Sequence, residues 1–323
     1  MSLLDVLESL GNIGLVPLAA VDRAEDAVDL AKALKAGGIG TVEITFRTEC
    51  AAEAIRQVKR KTSDFLVGAG TVINPDQAKK AVRAGADYIV MPGFDEKVVD
   101  WCIENHVPVI PGCITPSEIM KAISKGLSVV KFFPAESCGG VKACASLAAP
   151  FGSVKFLVTG GVSPGNLSEY AKKDFIHSMG GSWLCSKEAV KAKNWNKITE
   201  TAKEAVAQLL GFEVVHVGIN TRSPDEAAEI SKNLASTFGF PCFVNSASTF
   251  VGTGFEINHS EGLGSNGHVA IDTNSVSRSE YYLTAHAGVT FDETSRVKSG
   301  GKTTVVYLQK EFGGFAVHLR QRK

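Results

Sequence analysis

The chain has 323 residues, of which 44% are hydrophobic and 21% charged, and its 34 basic and 34 acidic side chains give a formal charge of zero. This length predicts two domains, and the balanced charge argues against a surface that binds nucleic acid. The composition is typical of a folded globular protein, so extended disorder and low complexity are excluded.

The amino-terminal segment predicts a helix over residues 1–11, and the first twenty residues contain Asp5 and Glu8 but no Lys or Arg. A secretory signal begins with positive charges, and a membrane span needs about 18 or more consecutive apolar residues, which the chain lacks. We therefore expect a cytoplasmic protein with no membrane partner. The seven cysteines form no C-x-x-C pair, which favours reduced and mostly buried thiols over disulfides or a thiolate zinc site.

Up to about residue 185, short apolar runs alternate with amphipathic segments. The runs cover residues 15–21, 41–46, 65–71, 88–93, 107–113, 129–135, 155–161 and 175–182. Helical patterns between them include residues 23–35, 51–61, 75–84, 96–105 and 117–125. Eight strand–helix repeats predict a closed parallel TIM (β/α)8 barrel. A doubly wound open sheet is the alternative, although it more usually has about five or six such strands.

A further helical pattern over residues 187–210 ends at Gly211, where a helix cap and a domain boundary are expected. We predict a barrel domain over residues 1–211 and a second domain over residues 212–323. The second domain contains a repeat, because residues 216–221 (HVGINT) match residues 268–273 (HVAIDT). Each copy leads into a helical stretch, at 224–238 and 277–283, and then into strands. An α+β domain of two βαβββ modules, each of about fifty residues, explains this order.

Two barrel strands contain a charged residue at a position that the pattern places inside the barrel. In strand two the period of two puts Glu43 and Arg47 on one face, and in strand six Lys131 stands among apolar side chains. A lysine desolvated in this way exposes a nucleophilic amine, which is how a Schiff-base lysine forms, and Glu43 is then the candidate general acid/base. A buried ion pair of Glu43 with Lys131 or Arg47 is the alternative interpretation.

Glycine pairs follow strands seven and eight, at Gly160–Gly161 and at Gly180–Gly181. The loops after these two strands are the usual phosphate site of a TIM barrel, since backbone N–H groups there can surround phosphate oxygens. One glycine pair alone is more often a simple turn. Two pairs at these two loops indicate a phosphorylated ligand.

Over about residues 5–210 the sequence resembles the class I 2-keto-3-deoxy-6-phosphogluconate aldolases, a family that often also accepts 4-hydroxy-2-oxoglutarate. The matching segments are residues 43–50 (EITFRTEC), 67–72 (VGAGTV), 131–136 (KFFPAE), 159–161 (TGG) and 180–184 (GGSWL). The resemblance implies that Lys131 is the Schiff-base nucleophile and that Glu43 transfers protons. It also implies a set of substrate-binding residues: Arg47 and Thr71 at the carboxylate, Pro92 and Thr159 along the site, and Gly160, Gly161, Gly181 and Ser182 at the phosphate.

The activity implied by the resemblance is an aldehyde-lyase reaction of the Entner–Doudoroff pathway. 2-Keto-3-deoxy-6-phosphogluconate would be cleaved to pyruvate and D-glyceraldehyde 3-phosphate, and 4-hydroxy-2-oxoglutarate to pyruvate and glyoxylate. The resemblance implies no cofactor for this reaction and a homotrimeric enzyme. The alternatives are a metal-dependent sugar-phosphate aldolase or epimerase, for which the barrel strands offer only His177 as an imidazole ligand, and a non-catalytic metabolite-binding protein.

Five of the seven histidines follow residue 211. His216 and His268 begin equivalent strands of the two modules, whereas Glu256 and His318 fall in the closing strands. Pairing of the modules about a pseudo-twofold axis would bring these four side chains together. Three imidazoles and a carboxylate suit divalent Zn, Fe, Mn, Co or Ni.

This second domain resembles the vicinal oxygen chelate superfamily, which includes the glyoxalases, over about residues 212–320. His318 departs from the family pattern, because the ligand of the closing strand is usually Glu. Asn258 or His259 would replace Glu256 if the strand register were shifted. A metal-binding domain and a degenerate, metal-free domain both stay open at this point.

Overall fold

The computed structural model describes residues 3–322, and the chain divides into two compact units between Leu209 and Leu210. Met1, Ser2 and Lys323 lie outside the described residues, so the helix expected over residues 1–11 is described from Leu3 onward. All seven cysteines are free thiols, and four of them are buried.

The first unit is built on eight parallel strands in the order β5-β4-β3-β2-β1-β8-β7-β6. These strands are β1 (Leu15–Ala19), β2 (Thr41–Thr45), β3 (Leu66–Gly70), β4 (Tyr88–Val90), β5 (Val109–Ile110), β6 (Val129–Phe132), β7 (Lys155–Thr159) and β8 (Ile176–Gly181). The ring closes between β5 and β6, because the Lys131 N–H donates to the Pro111 carbonyl at 2.8 Å and the Cys113 N–H donates to the Lys131 carbonyl at 2.8 Å. The predicted TIM barrel is confirmed, and the open-sheet alternative is wrong.

Helices follow the strands and bury their apolar faces against them. They are α1 (Leu3–Ile13), α2 (Asp26–Ala36), α3 (Ala51–Lys61), α4 (Pro75–Ala84), α5 (Glu96–Glu104), α6 (Pro116–Ser124), α7 (Gly140–Ala148), α8 (Leu167–Ala171), α9 (Lys187–Lys191) and α10 (Trp195–Leu210). Side-chain caps start several of them: Thr115 and Glu118 form a capping box at α6. Among residues 3–322, no helix is long and apolar enough to cross a membrane.

The single helix predicted over residues 187–210 is wrong, since the chain forms two helices there, α9 and α10. Lys193 lies between them with a φ of 53°, in the left-handed region. A right-handed helix cannot continue through that conformation. A second helix starts directly afterwards, where the Asn194 side chain accepts a hydrogen bond from the Lys197 N–H at 3.2 Å.

The second unit is one mixed sheet of eight strands in the order β10-β11-β12-β9-β13-β16-β15-β14. Its strands are β9 (Glu213–Ile219), β10 (Cys242–Val244), β11 (Ser248–Val251), β12 (Phe255–Asn258), β13 (Gly267–Thr273), β14 (Phe291–Ser299), β15 (Lys302–Leu308) and β16 (Phe315–Gln321), and its helices are α11 (Pro224–Phe238) and α12 (Val276–Ala287). Each half therefore has the order β-α-β-β-β. The two halves join where β9 and β13 run antiparallel, which confirms the paired βαβββ modules.

The helices of the second unit cover one face of its sheet. Buried Ala227 of α11 packs with Val251 and Ile257, and buried Val276 of α12 packs with Val306 and Leu319. Side chains alternate between the faces of a strand, so the neighbours of these apolar residues point to the opposite face. That opposite face carries the histidines.

Candidate active site

Glu43 on β2 and Lys131 on β6 meet inside the barrel. Glu43 is fully buried and Lys131 is 4% exposed. The Lys131 Nζ lies 3.6 Å from Glu43 Oε1, which is an ion-pair distance but too long for a good hydrogen bond. Among the described residues, neither carboxylate oxygen of Glu43 has a hydrogen-bond partner. Buried polar atoms are normally satisfied, so these two oxygens are available to polar atoms of a ligand.

The walls around the pair are apolar or lack a side chain. The Lys131 Nζ lies 5.3 Å from the centroid of the Phe133 ring. A Cβ atom on Gly70, at the end of β3, would lie 2.0 Å from Glu43 Oε1. Gly70 therefore leaves the space that the carboxylate occupies. Gly70 lies in one of the matching segments but is not among the predicted site residues.

Three predicted substrate-binding residues lie just beyond the carboxyl ends of neighbouring strands: Arg47 and Thr71 for the carboxylate, and Pro92 along the site. Arg47 follows β2 and is exposed, Thr71 follows β3, and Pro92 follows β4. Thr71 has a φ of 57°, which is rare and strained for a β-branched residue. The Glu43–Arg47 ion pair considered above is wrong, because the ion pair that Glu43 makes within residues 3–322 is with Lys131.

The predicted phosphate-binding residues lie after β7 and β8. Gly160 and Gly161 have φ values of 91° and 90°, a conformation that glycine alone adopts without strain. The Thr159 Oγ1 is buried and has no hydrogen-bond partner among the described residues. Gly181 ends β8, and Ser182 is exposed at the start of the 3-10 turn that follows.

Glu136, which follows β6, braces the glycine loop after β7. Its N–H donates to the Gly160 carbonyl at 3.0 Å, and a Cβ on Gly161 would lie 2.5 Å from its Cγ. The buried Tyr170 hydroxyl donates to Glu136 Oε1. Burial and the adjacent Glu136 raise the pKa of Tyr170, so the phenol stays a neutral donor. Sequence reasoning missed this bracing because Tyr170 lies 34 residues from Glu136 along the chain.

The structure also brings together the four predicted metal ligands of the second unit. Buried His216, His268 and His318 each offer a ring nitrogen, and these atoms all lie within 4.8 Å of one another. The Glu256 Oε2 lies 3.1 Å from His216 Nε2 and 3.3 Å from His268 Nε2.

The strand register selects Glu256 over the two residues that could have replaced it. The Asn258 Nδ2 donates to Asn220 Oδ1 at 2.9 Å, and the His259 Nε2 lies 3.0 Å from Thr249 Oγ1. His259 lines a different groove, beside α11. The interacting set is therefore His216, Glu256 and His268, with His318 beside them.

His318 and Glu256 are in the states that bind cations. Burial, together with the nearby His268 and His216, lowers the pKa of His318 to about 3, so its imidazole is neutral. Burial alone raises the pKa of Glu256, but hydrogen bonds from His216, His268 and Ser248 outweigh it and hold that pKa well below its usual range. Among the described residues, both ring nitrogens of His318 lack a hydrogen-bond partner. An orphaned neutral imidazole beside a carboxylate fits a divalent metal.

The barrel histidine that could have served a metal-dependent enzyme has structural partners instead. The His177 Nε2 lies 2.8 Å from the Leu7 carbonyl and its Nδ1 lies 3.1 Å from Ser178 Oγ. Within residues 3–322, the cluster of three metal-ligating groups lies in the second unit. The barrel geometry therefore favours the lysine-based alternative.

Comparisons with known proteins match the barrel. The profile of the family described as KDPG and KHG aldolase covers residues 6–201. The 2-dehydro-3-deoxy-phosphogluconate aldolase of Treponema pallidum (strain Nichols) is 41% identical over 209 residues, which are 65% of this chain and 99% of the relative. The KHG/KDPG aldolase of Escherichia coli (strain K12) is 44% identical over 192 residues, which are 59% of this chain and 90% of the relative.

A solved structure shows the same barrel. It is the KDPG aldolase from Legionella pneumophila, with pyruvate captured at low pH as a covalent carbinolamine intermediate. Its TM-score is 0.60 at 36% identity, and the match covers 62% of this chain and 97% of that one. The chain belongs to the KDPG and KHG aldolase family.

Proposed function

We propose that the barrel is a class I aldolase that cleaves 2-keto-3-deoxy-6-phosphogluconate to pyruvate and D-glyceraldehyde 3-phosphate. The observation that carries this proposal is the buried Lys131 amine 3.6 Å from a Glu43 carboxylate whose oxygens have no hydrogen-bond partner among the described residues. A nucleophile and a proton carrier at this separation are the two groups that a Schiff-base aldol cleavage requires.

The reaction begins when the Lys131 Nζ, after loss of its proton, adds to the C2 ketone of the sugar acid. Loss of water from the carbinolamine gives an iminium, which draws electrons from the neighbouring carbons. Glu43 accepts the proton of the C4 hydroxyl, the C3–C4 bond breaks, and its electron pair forms an enamine while D-glyceraldehyde 3-phosphate leaves. Glu43 then returns the proton to C3, and water hydrolyses the imine to release pyruvate and free Lys131.

The residues at the mouth of the barrel would orient the substrate for these steps. Arg47 offers a guanidinium for the carboxylate, and the strained Thr71 holds its hydroxyl at the same edge. Pro92 and the unpartnered Thr159 hydroxyl line the site. The phosphate would lie against the loops after β7 and β8, at Gly160, Gly161, Gly181 and Ser182.

The same chemistry extends to 4-hydroxy-2-oxoglutarate, which has the same C2 ketone and C4 hydroxyl but no phosphate. Its cleavage would give pyruvate and glyoxylate. A relative of this chain is named KHG/KDPG aldolase, which supports the wider substrate range.

Trapping of the imine tests the proposal directly. We expect borohydride reduction in the presence of pyruvate to leave a stable adduct on the peptide that contains Lys131, detected by mass spectrometry. Lys131→Ala should abolish both the adduct and turnover, whereas Lys97→Ala, which removes an exposed lysine of α5, should change neither. An adduct on another lysine, or turnover in Lys131→Ala, would contradict the assignment.

A second candidate function belongs to the other unit, where His216, Glu256, His268 and His318 would hold a divalent Zn, Fe, Mn, Co or Ni ion in a glyoxalase-like domain. The observation that favours it is the cluster of three buried imidazoles, two of which contact the Glu256 carboxylate. A bound ion would supply Lewis-acid chemistry to an oxygen ligand.

Metal analysis of protein purified without a histidine tag tests this second function. We expect about one equivalent of a divalent metal per chain, lost in His318→Ala and retained in His259→Ala. A metal-free protein that does not take up added Zn²⁺ or Co²⁺ would indicate a degenerate domain.

A further inference from the structure

The sheet of the second unit has two edge strands, β10 and β14, and they differ in charge. β14 carries four charged side chains, at Asp292, Glu293, Arg296 and Lys298. Charges of this kind keep an edge strand from pairing with another chain. β10 has no charged residue, and the whole segment of residues 233–255 around it has none. β10 is therefore the unprotected edge of the sheet.

All three residues of β10 are exposed, and they point to both faces of the sheet. Phe243 is 64% exposed and Val244 is 74% exposed, and Cys242 is an exposed free thiol. Cys242 lies opposite Val251, which packs against α11. Cys242 and Val244 therefore lie on the face that carries α11, and Phe243 lies on the helix-free face. A strand placed beside β10 would remove apolar surface from water on both faces.

The hydrogen bonds between β10 and β11 determine which backbone groups of β10 stay unpaired. The Asn245 N–H, directly after β10, donates to the Ser248 carbonyl of β11 at 2.9 Å. Along an antiparallel strand, every second residue directs its N–H and C=O to the same neighbour. The backbone groups of Phe243 therefore point to β11, and those of Cys242 and Val244 point to the open edge. Within residues 3–322, no strand pairs with that edge.

A second copy of β10 has the groups that would satisfy this edge. An antiparallel alignment centred on Phe243 places Cys242 of each copy opposite Val244 of the other. Residues opposite each other at such positions exchange both of their N–H···O bonds, so every outward group of Cys242 and Val244 gains a partner. The two Phe243 side chains then face each other at the non-hydrogen-bonded position, where aromatic pairs stabilise strand pairing.

From this geometry we propose that β10 is an interface at which two copies of the chain join, as antiparallel strands about a twofold axis at Phe243. Such pairing extends both sheets across the interface. A second copy fits better than an unrelated protein, because the outward donors and acceptors of β10 match those of the same strand turned by the twofold axis. The uncharged edge also offers no electrostatic signal for a charged partner. The inference depends neither on the barrel reaction nor on the metal centre proposed above.

The mass of the full-length protein in solution tests the pairing. Val244→Pro removes an N–H that points to the open edge and leaves the bonds to β11 in place. We expect light scattering to give the unmodified protein a mass about twofold or more above that of Val244→Pro. Val244→Thr keeps the N–H and the β-branched shape, so it should keep the larger mass. The homotrimer implied for the barrel would be present in all three proteins and does not affect the comparison.

A disulfide bond tests the register of the two strands. Facing residues at a non-hydrogen-bonded position have Cα atoms about 4.5 Å apart, which is within the range of about 4.4–6.8 Å for a disulfide. We expect Phe243→Cys, in a Cys242→Ser background, to join two chains through position 243 under mild oxidation. Peptide mass spectrometry identifies the bond. Lys298→Cys in the same background is the control, because it is an exposed position on the other edge strand, and it should not form the corresponding bond.

The outcomes separate pairing through β10 from other forms of association. A larger mass that Val244→Pro loses, together with a bond at position 243, would support the proposal. Equal masses for the unmodified protein and a folded Val244→Pro would overturn it. A larger mass without a bond at position 243, or equal cross-linking by Lys298→Cys, would also overturn it, since the copies would then meet elsewhere or only by collision. Should Val244→Pro not fold, the disulfide experiment decides the matter.

Discussion

The chemistry proposed for the first unit depends on two single side chains in the interior of the barrel. Lys131 and Glu43 are both buried, and a buried ion pair gains little net stability because desolvation offsets the attraction. At 3.6 Å the two groups attract each other without a hydrogen bond, which leaves the Glu43 oxygens for a substrate hydroxyl. The pair is thus better suited to reaction than to holding the fold together.

Replacing Glu43 should separate proton transfer from imine formation. We expect Glu43→Gln to reduce turnover about 10²- to 10⁴-fold, since the amide cannot accept the C4 hydroxyl proton. The borohydride adduct with pyruvate should still form on Lys131. Single-turnover cleavage kinetics and the trapping assay measure the two steps. Undiminished cleavage, or loss of the adduct in a folded Glu43→Gln protein, would contradict the role given to Glu43.

Glu136 contacts the Gly160–Gly161 loop, and we infer that it positions this loop without touching the substrate. We expect Tyr170→Phe to raise the KM for 2-keto-3-deoxy-6-phosphogluconate about tenfold, because Glu136 then loses the hydroxyl that holds its side chain against the loop proposed to meet the phosphate. The KM for 4-hydroxy-2-oxoglutarate, which has no phosphate, should stay the same. Steady-state kinetics on both substrates measures the difference, with Glu169→Gln on α8 as the control. An equal change for both substrates would mean a general structural effect.

The first strands of the two modules, β9 and β13, differ at one equivalent position near the histidine cluster. His216 of β9 and His268 of β13 are equivalent in the repeat, but Gly218 of β9 corresponds to Ala270 of β13. The difference has a steric cause: a Cβ on Gly218 would lie 2.1 Å from the His268 ring. Because Gly218 has no side chain, the His268 ring of the second module can lie against β9 of the first.

This contact makes Gly218 a sensitive position for the metal site. We expect Gly218→Ala to displace the His268 ring and to weaken Co²⁺ or Zn²⁺ binding about tenfold or more, at a stability cost of about 1–3 kcal/mol. Gly254→Ala is the matched control, since an added Cβ there would meet nothing within 4 Å. Metal titration and thermal unfolding of both variants measure these effects. Unchanged metal binding in Gly218→Ala would show that His268 is not a ligand.

For the whole molecule, one chain joins a lysine-based site to a histidine cluster, each within its own compact unit. The proposed imine chemistry uses Lys131 and Glu43 and includes no metal ion. The proposed metal ligands of the second unit come from β9, β12, β13 and β16 and from no strand of the barrel. The two chemistries should therefore be separable in the intact protein.

Metal removal tests this separation. We expect exhaustive treatment with EDTA to leave the rate of 2-keto-3-deoxy-6-phosphogluconate cleavage unchanged within about twofold. The reason is that the proposed iminium on Lys131 withdraws electrons from the substrate without a metal ion. The same treatment should remove the metal from the second unit and lower the thermal stability of that unit, since a ligand that binds the native state stabilises it. Pyruvate release and calorimetry measure the two effects. A cleavage rate that falls with EDTA and recovers with Zn²⁺ would make the barrel reaction metal-dependent.

Local sequence patterns predict the architecture of both units and most of the residues of interest. The alternation of eight apolar runs with helical segments predicts the barrel, because strand and helix periods are local properties of the chain. A charged residue within an apolar strand, as at Glu43 or Lys131, is visible without any structure. The repeat that begins at His216 and His268 likewise predicts the paired modules.

Distances and contacts between segments far apart in the chain depend instead on how the whole fold packs. The approach of Lys131 to Glu43 depends on ring closure between β5 and β6, and the bracing of Glu136 by Tyr170 depends on how α8 packs. The break at Lys193 arises from a backbone conformation that helical periodicity does not reveal. The contact of Arg320 with Asp272 likewise forms only because β16 lies beside β13. Sequence patterns report which face a side chain occupies, whereas these contacts are set by strand register and packing across the fold.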